Sequence, residues 1–324
     1  MSARQGRRIG VVGATGIVGS DLIELLEERR FPVAELRPIA TDRALGEVVE
    51  LGGEEIPVQA GDVSLRGLDF VFLCAPLEAT GDWVRSALRD EVPCVDLSGS
   101  LAVHDEVPML AAELGAPREH VLRPLVSGPP SAALACALAL APLQREAGIA
   151  RVAGTHLQPA SSAGRDGVRA LEGEVVALFN HEEVPESDVF PGPVAFDCMP
   201  ELAGPDLGAS LARVLGLPIP AAFASIQVPT FSGLGVSLAV EPERDVTPEQ
   251  LREWWVKAPG VEVWDADMPG PTTRDSASRD VVLAGRVRVD PSRPGGLLLW
   301  LTADPIRLAV SNAMRLAELR FDVH

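Results

Sequence analysis

Ile9 to Gly19 reads IGVVGATGIVG. Arg7 and Arg8 lead into a short apolar strand, glycines follow at three-residue spacing (Gly13, Gly16, Gly19), and Leu22, Leu25 and Leu26 then mark one face of a helix. A strand, a glycine turn and a helix in that order bring unpaired N–H groups and the positive end of a helix dipole to one spot. The absent side chains let a pyrophosphate approach the backbone there. A strand before and a helix after is the context the motif needs. The stretch predicts dinucleotide-fold geometry at the head of the chain; occupancy by a nucleotide is a separate expectation, because a fold can outlive its ligand.

The chain has 324 residues, 47% of them apolar, enough for a large core and for two domains. A formal charge of −18 argues against nucleic acid and anionic membrane as partners. The amino-terminal MSARQGRRIG is charged and lacks the pattern of a secretory signal, and the longest apolar run, Ser131 to Leu143, is too short to span a bilayer. The expectation is a cytoplasmic protein. Cys74, Cys94, Cys136 and Cys198 are widely spaced in apolar stretches, which reads as four buried reduced thiols. The five histidines (His104, His120, His156, His181, His324) show no metal-ligand spacing, and no metal is expected. Lys257 is the only lysine, so any Schiff-base chemistry would depend on it alone.

Strand and helix alternate through the first third. Glu35–Ala40 reads as a second strand ending in Thr41-Asp42-Arg43, Asp69–Ala75 as a continuous apolar strand, Glu78–Leu88 as a helix and Pro93–Leu97 as a further strand. This is the pattern of a parallel, doubly wound α/β sheet. The loop after the second strand is where such folds read the adenosine ribose. Asp42 suits a 2′-hydroxyl and Arg43 a 2′-phosphate, and the expectation is NADP over NAD. The character changes at Ser127-Gly128-Pro129-Pro130, which opens a helix over Ser131–Leu143. A strand over Arg151–Gln158, a Ser161–Gly164 loop and a helix over Val168–Phe179 follow, then an irregular stretch, 183–207. Alternating runs at Ala222–Val228, Gly235–Val240, Val281–Val289 and Leu297–Thr302 predict a sheet with one exposed or partner-facing side, and Ile306–Leu319 a closing helix.

Taken in order, these pieces resemble the aspartate-semialdehyde dehydrogenases over nearly the whole chain. The resemblance rests on GATGIVG, Thr41-Asp42-Arg43, VDLSGS (Val95–Ser100) and Gln158 followed by SSAG. It extends through FPGPVAFDCMP (Phe190–Pro200) and QVPTFSG (Gln227–Gly233) to the closing helix with Asn312. It implies an amino-terminal Rossmann-like domain of residues 1–127 rejoined by 305–324, and an inserted α/β dimerisation and substrate-type domain of 128–304. It also implies a homodimer, and NADP held by Gly13, Thr15, Gly16, Ile17, Val18, Thr41, Arg43, Ser161, Gly164 and Asn312. The family interconverts an acyl phosphate and an aldehyde through a thioester on a cysteine, with a histidine as acid/base and arginines holding the substrate's anionic groups.

At those chemical positions the sequence departs from the family. Counting back from Pro142-Leu143 puts Ser131 where the family carries its cysteine, and Leu234 follows the Val-Pro segment where the histidine is expected. The arginine before Val-Pro is Gln227, and the phosphate-binding arginine falls at Ala102. The substrate-gripping helix matches Gly208–Val214, whose single charge is Arg213, while Gln158 matches the substrate-positioning glutamine. A serine hydroxyl needs a positioned base to attack, whereas a thiol at a helix N-terminus ionises readily. Ser131 reads better as a helix N-cap. The chain is in this respect similar to the Usg-type members, which lack the catalytic cysteine. Three functions follow, in order: a non-catalytic, nucleotide-binding homologue; an NADP-dependent oxidoreductase acting on another carbonyl without a covalent intermediate; and a structural dimer with a vestigial groove. His156 is the one histidine placed to be tested as an acid/base, and Trp254-Trp255 reads as core or interface packing.

Overall fold

The apolar run Ile9–Val12 is buried on both faces, which only a central strand permits, and it forms the middle of the first sheet. The computed structural model describes residues 6–61, 63–200, 204–264 and 267–323. The chain folds as two units, Met1–Pro129 with Ala309–His324, and Pro130–Leu308.

In the first unit, β1 (Arg7–Val12) leads through the glycine turn into α1 (Ile17–Glu28) and β2 (Val33–Ala40). A hairpin follows, β3 (Val48–Leu51) and β4 (Glu54–Pro57), then β5 (Gln59–Ala60), β6 (Phe70–Leu73), α2 (Leu77–Arg89), β7 (Cys94–Asp96), α3 (Arg118–Val121) and β8 (Leu125–Ser127). The six-stranded sheet runs β5-β2-β1-β6-β7-β8 and is parallel throughout. From β1 the chain goes to one side for β2 and to the other for β6, so the topological switch lies at the carboxyl ends of β1 and β6. The sequence did not lead us to expect the β3–β4 hairpin, although its two-residue loop, Gly52-Gly53, has both φ angles positive, as a tight hairpin turn requires.

The second unit opens with α4 (Ser131–Ala147) and β9 (Ile149–Gln158), continues through α5 (Gly164–Phe179), β10 (Met199–Pro200), α6 (Leu207–Leu215), β11 (Ala221–Gln227), β12 (Leu234–Pro242) and α7 (Pro248–Trp255), and ends with β13 (Val261–Val263), β14 (Val282–Val289), β15 (Leu297–Ala303) and the start of α8 (Pro305–Phe321). Its mixed sheet has the order β10-β11-β9-β12-β15-β14-β13. The register puts Val152, His156, Val236, Leu238, Val240, Leu299 and Leu301 on one face, and all are buried. On the opposite face Ala222, Ala224 and Ser237 are exposed and Thr155, Ala239 and Trp300 half-buried. The sheet therefore has one open side, in keeping with the alternation of its strands.

α4 packs on β9, β12, β14 and β15 and is buried from Ala132 to Leu140. It runs to Ala147, past Pro142, where the sequence suggested an end at Leu143. Pro142 cannot donate to the preceding turn, and on that turn the Trp255 indole N–H donates to the Ala139 carbonyl at 2.8 Å. Trp255 is fully buried, so core packing is its role. The later part of α8 belongs to the first unit, where Arg118 grips Asp322 with both guanidinium nitrogens and Phe321 packs edge-on to Phe31 and Phe70. Among the described residues no helix is long and apolar enough to cross a membrane.

Candidate functional site

In the first unit each of the three glycines has its own structural reason. Gly13 sits at φ +85°, and a Cβ there would lie 2.6 Å from the Cys74 carbonyl oxygen and 2.8 Å from the Ala75 nitrogen. A Cβ on Gly19 would collide with the Gly13 carbonyl, so this glycine lets α1 pack close against the turn. Gly16 differs: its φ of −73° suits any residue and its added Cβ would meet only the Gly13 oxygen, at 3.2 Å. Gly16 is also the N-cap of α1, with no capping side chain and no acidic residue in the first turn. The Gly13 and Ala14 N–H groups are both taken by the Ile39 carbonyl. Beyond them Thr15, Gly16, Ile17 and Val18 form a half-buried rim at the positive end of the helix, a seat for an anion at the switch point of the sheet.

Thr41 and Arg43 lie past the carboxyl end of β2 on a short 3₁₀ turn, Asp42–Ala44, and both are exposed. Beyond β7 the VDLSGS segment is organised by one carboxylate. Asp96 is fully buried; Oδ1 accepts from the Ser98 N–H (2.8 Å) and hydroxyl (2.6 Å), and Oδ2 from the Leu101 N–H (2.9 Å). Ala102 stands on the 3₁₀ turn that follows and presents a methyl group where an arginine would offer a cation. Asn312 is buried with its amide engaged: Oδ1 accepts from Ala112 N–H at 2.8 Å and Nδ2 donates to the Leu110 carbonyl at 3.0 Å. One N–H and one lone pair remain on it for any ligand.

In the second unit, Ser131 opens α4, but not as the N-cap that its type suggested. Pro130 holds that position without a side-chain bond, and the Ser131 hydroxyl donates instead to the Pro305 carbonyl at 2.7 Å. Its proton is committed to a backbone acceptor, and no base meets it in that bond. Gln158 and Gln227 pair at the carboxyl ends of the parallel strands β9 and β11. Gln227 Nε2 donates to the Gln158 backbone carbonyl at 2.9 Å, and Gln158 Nε2 reaches Gln227 Oε1 at 3.4 Å. Leu234 is buried at the head of β12, and its carbonyl accepts from the Thr302 hydroxyl.

Past the glutamines the two segments run on side by side, with Ala160 and Ser161 N–H donating to the Thr230 and Phe231 carbonyls. The hydroxyls of Ser161 and Thr230 are buried there without a hydrogen-bond partner among the described residues. Thr230 carried no signal in the sequence, because only the fold sets it beside the Ser161 loop. Gly164 takes φ +71°, which suits glycine. On α6, Asp206 caps the helix through the Ala209 N–H.

His156 is buried on the covered face of the sheet, with Nδ1 3.3 Å from the Ser225 hydroxyl. Burial pushes its pKa down to about 4, so it is neutral at pH 7 and ill placed to shuttle protons. His324 lies outside the described residues. The cysteines need one correction: Cys94 and Cys136 are buried, with thiols pushed up to about 12 by desolvation, but Cys74 is half-buried and Cys198 exposed. Among the described residues no group of histidine, cysteine or carboxylate side chains is arranged to hold a metal.

Residues 8–122 match a family described as semialdehyde dehydrogenase, NAD binding domain, and residues 140–308 one described as semialdehyde dehydrogenase, dimerisation domain. The aspartate-semialdehyde dehydrogenase of Aquifex aeolicus is 30% identical, covering 97% of this chain and 98% of its own. A USG-1 protein homolog of Azotobacter vinelandii is 31% identical, covering 96% of each. Among solved structures, aspartate semialdehyde dehydrogenase II of Vibrio cholerae superposes with a TM-score of 0.90 at 28% identity, covering 97% of this chain and 98% of that one.

Proposed function

The chain belongs to the aspartate-semialdehyde dehydrogenase family, and we propose that within it this member binds NADP without performing the interconversion of acyl phosphate and aldehyde. The observation that carries the reading is the state of Ser131. The family resemblance sets it at the nucleophile's position, and its hydroxyl is spent on the Pro305 carbonyl. No thiolate forms on a serine, and a hydroxyl without a base loses most of the advantage of covalent catalysis. Leu234 at the histidine's position is a buried hydrocarbon that moves no proton. Gln227 and Ala102 at the arginines' positions carry no charge for a carboxylate or phosphate.

The nucleotide-binding half has kept what its task needs. Gly13, Thr15, Gly16, Ile17 and Val18 frame the uncapped end of α1 for the pyrophosphate, and Thr41 and Arg43 stand where an adenosine ribose and its 2′-phosphate would lie. The second unit makes the protein a homodimer, in line with its match to a dimerisation domain and its half-open sheet. Calorimetric titration with NADP and, separately, NAD tests the binding. Micromolar NADP affinity that falls on Arg43→Ala is expected, and no heat with either nucleotide would overturn the reading. A second reading, an NADP-dependent oxidoreductase acting on another carbonyl, is favoured by the unpartnered Ser161 and Thr230 hydroxyls, which offer hydrogen bonds to a ligand. It predicts turnover that survives Ser131→Ala.

A further inference from the structure

We propose that the carboxyl ends of β9 and β11 bind a carboxamide group and reject a carboxylate of the same shape. The inference rests on the reading that this member no longer handles the family's anionic substrate, and it names the chemistry that the remaining groups accept instead. Gln158 and Gln227 stand opposite each other in the parallel register, two residues beyond the pair formed by His156 and Ser225. The end of adjacent parallel strands is a common place for a ligand.

The orientation of the Gln227 amide is fixed by its surroundings. Its nitrogen faces two backbone carbonyls, that of Gln158 at 2.9 Å and that of Val228 at 3.4 Å, and only the N–H end can stand there. Oε1 is therefore turned towards Gln158 Nε2, 3.4 Å away, so an acceptor sits where the family resemblance sets a cation. Gln158 is half-buried and, among the described residues, keeps one N–H and both lone pairs of Oε1. A ligand carboxamide matches that remainder in two hydrogen bonds, its N–H to Gln158 Oε1 and its oxygen to the free Gln158 N–H. A carboxylate offers acceptors only, and one of its oxygens would be set against Gln158 Oε1.

Two further groups call for a partner. Ser161 and Thr230 each lie three residues past one of the glutamines, on segments tied together by the Ala160 and Ser161 N–H groups. Their buried, unpartnered hydroxyls can each donate and accept, which suits an amide, and leaving them unmet costs stability. Neither segment supplies a charge to neutralise an anion. Residues 155–164 and 225–234 contain no lysine, arginine or carboxylate, and Arg165, the next residue along, is exposed on α5. On the β10 side, Asp197 is exposed two residues before Met199, which pairs with Gln227. A carboxylate bound here would lose its water without gaining a counter-charge.

Ligand-observed NMR titration with succinamide and succinate, which share one shape, tests this in high salt, where the protein's net charge is screened. Wild type is expected to bind succinamide at least about tenfold more tightly than succinate. Gln158→Leu should abolish that binding and Gln227→Arg should turn the preference towards succinate, with a melting curve on each to establish that it is folded. Thr230→Val removes a hydroxyl that has no protein partner, so it should melt no earlier than wild type and bind succinamide about threefold to tenfold more weakly. Succinate binding as tight as that of succinamide, or binding of neither, would overturn the proposal. So would a folded Gln158→Leu or Thr230→Val that binds succinamide as wild type does, or a folded Gln227→Arg that still prefers it. Nicotinamide also carries a carboxamide, so the titration is run with and without saturating NADP. Succinamide binding unchanged by NADP assigns the group to a separate small molecule, and competition assigns it to the nicotinamide end of the nucleotide. The arm without NADP needs no nucleotide site, so a failure of NADP to bind would overturn the proposed function and leave this inference standing.

Discussion

Two alanine substitutions three residues apart separate the folding role of the glycine turn from its binding role. In Gly13→Ala the new Cβ meets backbone atoms of Cys74 and Ala75 at 2.6 to 2.8 Å, and the residue must hold φ +85°. The left-handed backbone costs an alanine about 1 kcal/mol, and overlap with unyielding main chain costs about 1–3 kcal/mol more. The sum, about 3 kcal/mol, lowers Tm by roughly 6–12 °C for a unit of this size. In Gly16→Ala the φ of −73° is already allowed, and the nearest atom is 3.2 Å away. Stability then falls by about 1 kcal/mol or less, the difference between glycine and alanine as an N-cap. The same methyl group, however, would occupy the rim that the proposed reading assigns to the pyrophosphate. Loss of even about 1.4 kcal/mol of contact there is tenfold in Kd. Calorimetry and thermal melts on both variants therefore cross over: Gly16→Ala melts near wild type and binds NADP at least about tenfold more weakly, while Gly13→Ala melts early. Unchanged NADP affinity in folded Gly16→Ala would refute the assignment of this turn as the phosphate seat.

Glu174→Ala leaves the Val194 and Ala195 N–H groups without their acceptor and should cost about 3–5 kcal/mol in denaturant unfolding, with Glu174→Gln recovering part of it; a loss under about 1 kcal/mol would show that the 190–200 loop is held by other contacts. His156 has a folded pKa of about 4 against an ordinary 6.5, so the unfolded chain binds the extra proton between these values. Its contribution is present above pH 6.5 and lost as the pH falls towards 4, by up to about 3 kcal/mol, and replacement by leucine should flatten that part of the stability profile. A thiol reagent added to native protein should label Cys198 quickly and Cys94 and Cys136 only on unfolding. Rapid labelling of Cys94 or Cys136 in native Cys198→Ser, located by peptide mapping, would contradict the burial of those two thiols.

What the sequence disclosed and what it hid divide by distance along the chain. The glycine turn, the parallel strands and the open-sided sheet are local patterns with periods of two, three or four residues, and they were legible. Ser131 was misread because its hydrogen-bond partner, Pro305, lies 174 residues away, too far for local capping chemistry to signal. The two backbone bonds of the Asn312 amide, to residues 200 and 202 positions distant, were equally invisible to local pattern. The continuation of α4 beyond Pro142 goes with an indole 116 residues on, a tertiary contact that overrides a local helix-stop signal. The β3–β4 hairpin was different, because the Gly52-Gly53 signal was present and the acidic strands around it concealed the alternation. Exposure of Cys198 followed from the turn at Phe196, which apolar composition alone does not disclose.

The most direct test of the account follows NADPH formation when NADP-saturated protein is given aspartate semialdehyde and inorganic phosphate, the family's reaction run towards the acyl phosphate. Saturation is first established by calorimetry on the same sample, so that silence cannot be blamed on an empty site. The account predicts bound NADP and no NADPH beyond the protein-free control. Steady NADPH formation that disappears in Ser131→Ala would contradict it, because the serine bonded to Pro305 would then be a working nucleophile after all.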